Sequence, residues 1–213
     1  MSLMDLLNKK DILPLESEAL HGRDEEVEVP SEHFVKRTPL KGPFADNLQI
    51  AVFGMGCFWG VERRFWELEG VFSTSAGYSG GFTKNPTYRE VCTGMTGHNE
   101  VVLVVYDPEL ISYESLLITF WEDHDPTQGM RQGNDQGTQY RSGIYYNTSE
   151  EKELIESTKN KYQSQLDLNG LGKITTEIKE LDHYFYAEHY HQQYLAKNPD
   201  GYCALAGTGV KIK

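Results

Sequence analysis

The chain has 213 residues, 38% hydrophobic and 24% charged, which suits one soluble domain around a single sizeable core. Its net charge of −12 works against nucleic acid and anionic membrane as partners. Cysteines at 57, 92 and 203 form neither a disulfide framework nor a zinc spacing, and no apolar run reaches membrane-spanning length. Residues 1–15 lack the basic start and long apolar core of a signal peptide, so a reducing, cytoplasmic setting is expected.

Residues 1–46 read as an irregular N-terminal extension. They hold Pro14, Pro30, Pro39 and Pro43 and the acidic patch Asp24-Glu25-Glu26, and they lack sustained periodicity. A folded domain is expected over 47–213. Its first strand is the apolar run Ile50-Ala51-Val52-Phe53, followed by Gly54-Met55-Gly56 and Cys57. Phe58, Val61, Phe65 and Leu68 then recur at helical spacing, which predicts a helix with Cys57 as its first residue. A second strand is expected over 71–78, then a turn-rich segment over 82–97. The run Glu-Val-Val-Leu-Val-Val-Tyr from Glu100 predicts a central strand covered on both faces. Ser112 is placed to cap a helix whose apolar face is Leu116, Leu117, Phe120 and Trp121. After a loop over 123–138, a strand is predicted over 140–146. Thr148-Ser149-Glu150-Glu151 fits a capping box opening a helix to about residue 166. A short strand over 174–178, a helical turn region over 184–195 and a mobile, glycine-rich tail complete the chain. The order β-α-β-β-α-β predicts an α+β fold, a ferredoxin-like two-layer sandwich with helices on one face.

The stretch around Cys57 carries the chemistry. A helix N-terminus has unsatisfied N–H groups and partial positive charge, which favour an anion. A thiolate is such an anion, so this placement is expected to raise the nucleophilic fraction of Cys57. Most lone cysteines are small buried hydrophobes. Core packing, however, requires neither glycines on both sides nor a Phe-Trp pair at a helix start.

Six motifs together resemble the peptide methionine sulfoxide reductase A family. They are Gly-Cys-Phe-Trp-Gly at 56–60, Gly-Tyr-Ser-Gly-Gly at 77–81, Asn-Pro-Thr-Tyr at 85–88, Gly-His-Asn-Glu at 97–100, Gln-Gly-Asn-Asp-Gln-Gly-Thr-Gln-Tyr-Arg-Ser at 132–142 and Tyr-Ala-Glu-His-Tyr-His-Gln-Gln-Tyr-Leu at 186–195. They occur in the family's order and span residues 50–209. The resemblance implies a repair oxidoreductase that reduces the S epimer of methionine sulfoxide, free and in oxidised proteins. It implies Cys57 as the nucleophile and Glu100 as the acid. It also implies Tyr88 and Tyr140 as the phenols that hold the sulfoxide oxygen, Phe58 and Trp59 as the wall for the substrate methyl, and Asp135 as an orienting or substrate-binding group. The oxygen of a sulfoxide leaves poorly unless protonated or strongly hydrogen-bonded, so an acid and donors around a thiolate suit that chemistry. Glu100 must then be a neutral carboxylic acid near pH 7, a state that burial beside aromatics favours.

Cys203, on the glycine-flanked tail, is the implied resolving thiol, with thioredoxin as external reductant and neither bound cofactor nor metal. Some family members carry a further distal cysteine. This tail reads Gly-Val-Lys-Ile-Lys instead, so a two-cysteine cycle in a monomer is expected. Cys92 reads as structural, His98 as a loop-shaping residue, and His189-Tyr190-His191 as a pair without further ligands at metal spacing. Two other classes stay open at this point. A cysteine acyl-transferase or protease would need a marked histidine base. A redox-sensing module would use Cys57 and Cys203 without turnover.

Overall fold

The computed structural model of the protein describes residues 11–212. Residues 1–10, part of the expected extension and of the stretch read for a leader, lie outside the described residues. The elements are β1 (Gln49–Met55), α1 (Phe58–Trp66), β2 (Val71–Ser79), α2 (Tyr88–Val91), β3 (Asn99–Tyr106), α3 (Tyr113–Asp123), β4 (Arg131–Gln132), β5 (Asp135–Gln136), β6 (Ser142–Tyr146), α4 (Ser149–Leu168), β7 (Glu177–Glu180), β8 (Tyr184–Tyr186) and α5 (Tyr194–Lys197). The result is a mixed α/β fold.

Six strands form one sheet in the order β7-β6-β1-β3-β2-β8, and β4 pairs with β5 as a separate small hairpin. Strand β3 lies between β1 and β2, antiparallel to both, and all eight of its residues are buried. Alternation explains its unbroken apolar run. Val102, Val104 and Tyr106 face a core shared with Phe58, Val61 and Phe65 of α1 and Leu116, Leu117, Phe120 and Trp121 of α3. Val101, Leu103 and Val105 face the other way, under Phe44, Leu48, Phe72 and Tyr184. Residues of the N-terminal segment therefore cover part of the second face.

The caps follow the sequence chemistry. Ser112 Oγ accepts from Ser115 N at 3.1 Å at the start of α3, and Thr148 Oγ1 accepts from Glu151 N at 3.2 Å at the start of α4. At α4 the reciprocal bond departs from a capping box, because Asn147 N rather than Thr148 N donates to Glu151. The helices lock through Trp121 Nε1, which donates to Thr158 Oγ1 of α4 at 3.0 Å.

Several expected elements differ. The turn-rich segment contains α2, closed by a reciprocal box between Thr87 and Glu90. The loop over 123–138 contains the β4–β5 hairpin. The strand expected at 174–178 forms over Glu177–Glu180, where it pairs parallel to β6. Tyr184–Tyr186, read as helical, is an edge strand on β2, since its aromatic residues meet Gly77 and Ser79 across the pair. Helix begins only at Tyr194. The tail is irregular but pinned: Thr208 Oγ1 lies 2.7 Å from Tyr162 Oη, and Ile212 N donates to Glu122 at 2.8 Å. Gln132 Nε2 donates to Ala206 O at 3.0 Å. Among the described residues no helix is long and apolar enough to cross a membrane.

Candidate active site

Strand β1 ends beside β3, and the chain turns through Gly56 into α1. Gly56 holds φ +90°, and a Cβ there would meet Gln132 Cβ at 2.5 Å, so both backbone angle and space call for glycine. Cys57 is the N-cap of α1 rather than its first helical residue (φ −54°, ψ 118°), and it is half-buried. Directly after it, Phe58 N donates to Glu100 Oε2 at 3.1 Å. The carboxyl of Glu100, at the start of β3, is thereby fixed beside the thiol. Glu100 is 1% exposed, and burial pushes its pKa up to about 8 against the Phe58 hydrogen bond, with the charge of Asp135 adding to the rise.

The expected promotion of the thiolate does not hold. Burial raises the Cys57 pKa, the charge of Glu100 adds to the rise, and the Trp59 backbone N–H opposes both. The magnitudes explain the outcome. A helix terminus offers an anion about 0.3–1 kcal/mol, less than one pKa unit, whereas deep burial can shift a group by several units. In this resting state Cys57 is a thiol.

Two phenols complete the surroundings. Tyr88, in α2, and Tyr140, ending a 3-10 turn over Thr138–Tyr140, are both half-buried. Burial and then the charge of Glu100 raise the pKa of each, and both feel Cys57. Both hydroxyls are therefore protonated donors near neutral pH. Cys92 adds to the rise of both phenols, so that thiol lies close to them. Phe58 is fully buried, and Trp59 is half-buried with its ring stacked on Tyr194 at 3.9 Å between centroids.

Sequence reasoning missed the layer behind these groups. Trp59 Nε1 donates to His191 Nδ1 at 3.1 Å, which fixes the indole plane and leaves the proton on Nε2. The His191 ring lies 4.9 Å from Phe58 and 4.5 Å from Tyr88, and burial pushes its pKa down to about 4. Glu188 accepts from Tyr88 N at 2.8 Å and from Tyr78 Oη at 3.0 Å. Both residues sit in the 186–195 motif, whose two histidines lack further ligands at metal spacing and whose packing partners are distant in sequence. Asp135, on the hairpin, accepts from Tyr202 Oη at 3.2 Å, and burial raises its pKa. Tyr202 precedes the tail cysteine, and its adjacency to Cys203 was the available signal.

Cys203 is exposed and lies against α1 within one turn of its start. A side chain at Gly60 would meet Cys203 Sγ at 2.8 Å, and Arg63 Nη2 donates to that sulfur at 3.5 Å. A cavity of about 270 Å³ opens beside it between Arg63, Arg64 and Leu205. Gly60→Ala is therefore expected to hinder the approach of Cys203 to α1, read as slower disulfide formation with methionine release unchanged. Among the described residues no group of three or more His, Cys, Asp or Glu is placed to hold a metal ion.

The buried titratable groups also set the pH dependence of folding. Burial pushes His33, His98, His124 and His191 down to about 4 from 6.5. Unfolding lets them take up protons, so stability rises with pH from about 4 to 6.5. Glu62 and Glu100 are raised from 4.5 to about 7 and 8 by burial. They bind protons more tightly when folded, so their contribution falls as pH rises from 4.5 to 8. Four histidines outweigh two glutamates below pH 6.5, and only the glutamates remain above it. Urea unfolding is expected to give greatest stability near pH 6.5, and a continued rise to pH 8 would contradict these assignments.

A thiol at a helix cap, with a buried carboxyl group of raised pKa, two phenols and the rings of Phe58 and Trp59 around it, is an arrangement that suits cysteine-based redox chemistry. Comparison with known proteins narrows the class. The family model described as peptide methionine sulfoxide reductase matches residues 49–211. A Pseudomonas syringae pv. tomato protein named peptide methionine sulfoxide reductase MsrA is 60% identical over 206 residues, covering 97% of this chain and 96% of that one. The structure of methionine sulfoxide reductase A of Corynebacterium diphtheriae superposes with a TM-score of 0.82 at 45% identity, over 90% of this chain and 93% of the other. Reduced Mxr1 from Saccharomyces cerevisiae gives 0.70 at 31%, over 80% and 94%. A crystal structure of Mxr1 in complex with Trx2 also matches in fold, with a TM-score of 0.53 at 19% identity over 78% and 93%. The chain belongs to the peptide methionine sulfoxide reductase family.

Proposed function

We propose that the chain reduces the S epimer of methionine sulfoxide, free and within proteins, to methionine, with a thioredoxin as electron donor. The observation that carries this reading is Glu100, a buried carboxylic acid tied to Phe58 N and adjacent to the thiol of Cys57. Cys57 attacks the sulfoxide sulfur while Glu100 protonates the oxygen and the phenols of Tyr88 and Tyr140 donate hydrogen bonds to it. The proton lost by Cys57 restores Glu100. The attack forms an S–S bond, and this adduct collapses: the S–O bond breaks as the hydroxyl passes to Cys57 Sγ as a sulfenic acid, and the S–S bond breaks with an electron pair left on the substrate sulfur, which leaves as the sulfide. Protons balance without exchange: thiol plus sulfoxide gives sulfenic acid plus sulfide. Because resting Cys57 is a thiol, nucleophile and acid are spent together, only when a substrate oxygen accepts the proton.

Phe58 and Trp59 form the wall for the S-methyl group, and Asp135, held by Tyr202, orients the substrate from the hairpin. The site recognises little besides sulfoxide and methyl, which suits a broad protein substrate range in oxidative-damage repair. Cys203 then displaces hydroxide from the sulfenic acid, giving a Cys57–Cys203 disulfide and water, and a thioredoxin dithiol reduces it. The contact of Cys203 with α1 and the yeast relative crystallised with Trx2 support this half of the cycle. The reading includes a cytoplasmic monomer with no bound cofactor or metal. It divides the chain into an extension over 1–46 and a catalytic domain over 47–213. It takes the antiparallel order β6-β1-β3-β2, with α1 and α3 packed on one face, as a ferredoxin-like core.

Cys203→Ser tests the cycle. It is expected to yield one methionine per enzyme at the normal rate and then stall with thioredoxin. Unchanged steady-state cycling would remove Cys203 from the scheme.

A further inference from the structure

The N-terminal segment crosses the two loops that carry polar groups of the site. Asp11 accepts from Gln136 Nε2 at 2.6 Å, on the hairpin that holds Asp135. Leu20 N donates to Met95 O at 3.0 Å, and Leu20 O accepts from Thr83 Oγ1 at 2.9 Å, at the two ends of the segment containing Tyr88. Arg23 N donates to Lys84 O at 3.0 Å, while Asn85 Nδ2 donates to the carbonyls of Arg23 and Asp24 at 3.0 and 3.1 Å. These bonds run along both sides of α2.

One contact reaches α2 itself. Arg23 Nη2 meets Glu90 Oε1 at 2.5 Å, and both side chains are half-buried. Glu90 Oε2 accepts from Thr87 N and Thr87 Oγ1, both at 2.8 Å. A single carboxylate thus closes the cap of a four-residue helix and anchors it to the extension. A helix this short cannot hold itself, since the cost of its first turn is repaid by one bond per residue only later. The backbone that carries Tyr88 is therefore held from outside α2, by Glu188 at Tyr88 N on one side and by Glu90 with Arg23 on the other, while the ring itself packs on His191.

We propose that Arg23 is a positioning residue for Tyr88, and that residues 11–24 form a strap holding the phenol and the hairpin in register with Cys57. The inference rests on the reading of Tyr88 as a donor to the sulfoxide oxygen. Without the ion pair, α2 frays and the hydroxyl moves from the line of the developing charge, and a displacement near 1 Å is costly for such a group.

The test is a double-mutant cycle in the full chain, read as single-turnover release of methionine. Tyr88→Phe measures the hydroxyl, and Arg23→Ala is expected to slow reduction about tenfold. The double variant is expected to fall within about twofold of Tyr88→Phe alone, because Arg23 acts through the same hydroxyl. Arg23→Lys should recover most of the rate. Disulfide formation between Cys57 and Cys203 should keep its normal rate in Arg23→Ala, with a thermal midpoint within about 4 °C of the parent. Glu90→Gln keeps an oxygen for Thr87 but loses the ion pair, and should reproduce Arg23→Ala. The proposal is overturned if Arg23→Ala and Glu90→Gln react at the parent rate, or if the cycle is additive. Parent-rate reduction by Tyr88→Phe would remove the role of Tyr88, and the proposal with it.

Discussion

Cys57→Ser is expected to abolish sulfoxide reduction, whether dithiothreitol or thioredoxin is the reductant. The loss is total because the step is redox chemistry: a serine oxygen cannot take up the substrate oxygen as a sulfenic acid and give up two electrons. Packing should be nearly unchanged, since serine is close to cysteine in size and Cys57 makes no side-chain cap bond. Methionine release counted by chromatography checks this. Any turnover above the uncatalysed rate would move the nucleophile to Cys92 or Cys203.

Glu100→Gln is expected to slow reduction by about 10²–10⁴-fold while weakening sulfoxide binding far less. Glutamine keeps the shape and an acceptor for Phe58 N but cannot give a proton to the leaving oxygen. The pH profile separates this from a general loss of structure. Glu100 is protonated below about 8, so the parent rate of the reduction step should fall as pH rises through that value. In Glu100→Gln that descending limb should vanish. A variant with near-parent rates and the same limb would assign proton delivery to another group.

Much of this arrangement was legible in the residues because local rules and the global fold agree. The run from Glu100 reads as a doubly covered strand because each face of β3 meets its own core. Ser112 and Thr148 read as caps because their hydroxyls bond the backbone three residues on. Helix α2 was hidden because four residues hold no period, although Thr87 and Glu90 at the spacing of a capping box were in view. Strand β8 was hidden because three residues on a sheet edge show no alternation and depend on Gly77 and Ser79 for pairing.

The site divides the same way. Cys57, Glu100 and the two tyrosines came from motifs, and the fold brings them within reach of each other's charge. The helix dipole visible in the sequence favours a Cys57 thiolate, whereas the burial that raises its pKa depends on distant residues folded around it. His191 and Glu188 were passed over because their partners, Trp59, Tyr78 and Tyr88, lie about 100 or more residues away in sequence. The tail looked mobile from its glycines. Its anchors on Tyr162, Glu122 and Gln132 are contacts that composition cannot report.

The most direct test of the central claim is a titration of the fully reduced protein with one equivalent of methionine sulfoxide, followed by thiol counting and peptide mass mapping. The account predicts one methionine released, two thiols lost, and a single disulfide joining Cys57 to Cys203, with Cys92 still reduced. Methionine released with Cys57 left as a thiol, or a disulfide that includes Cys92 in place of Cys57, would contradict it.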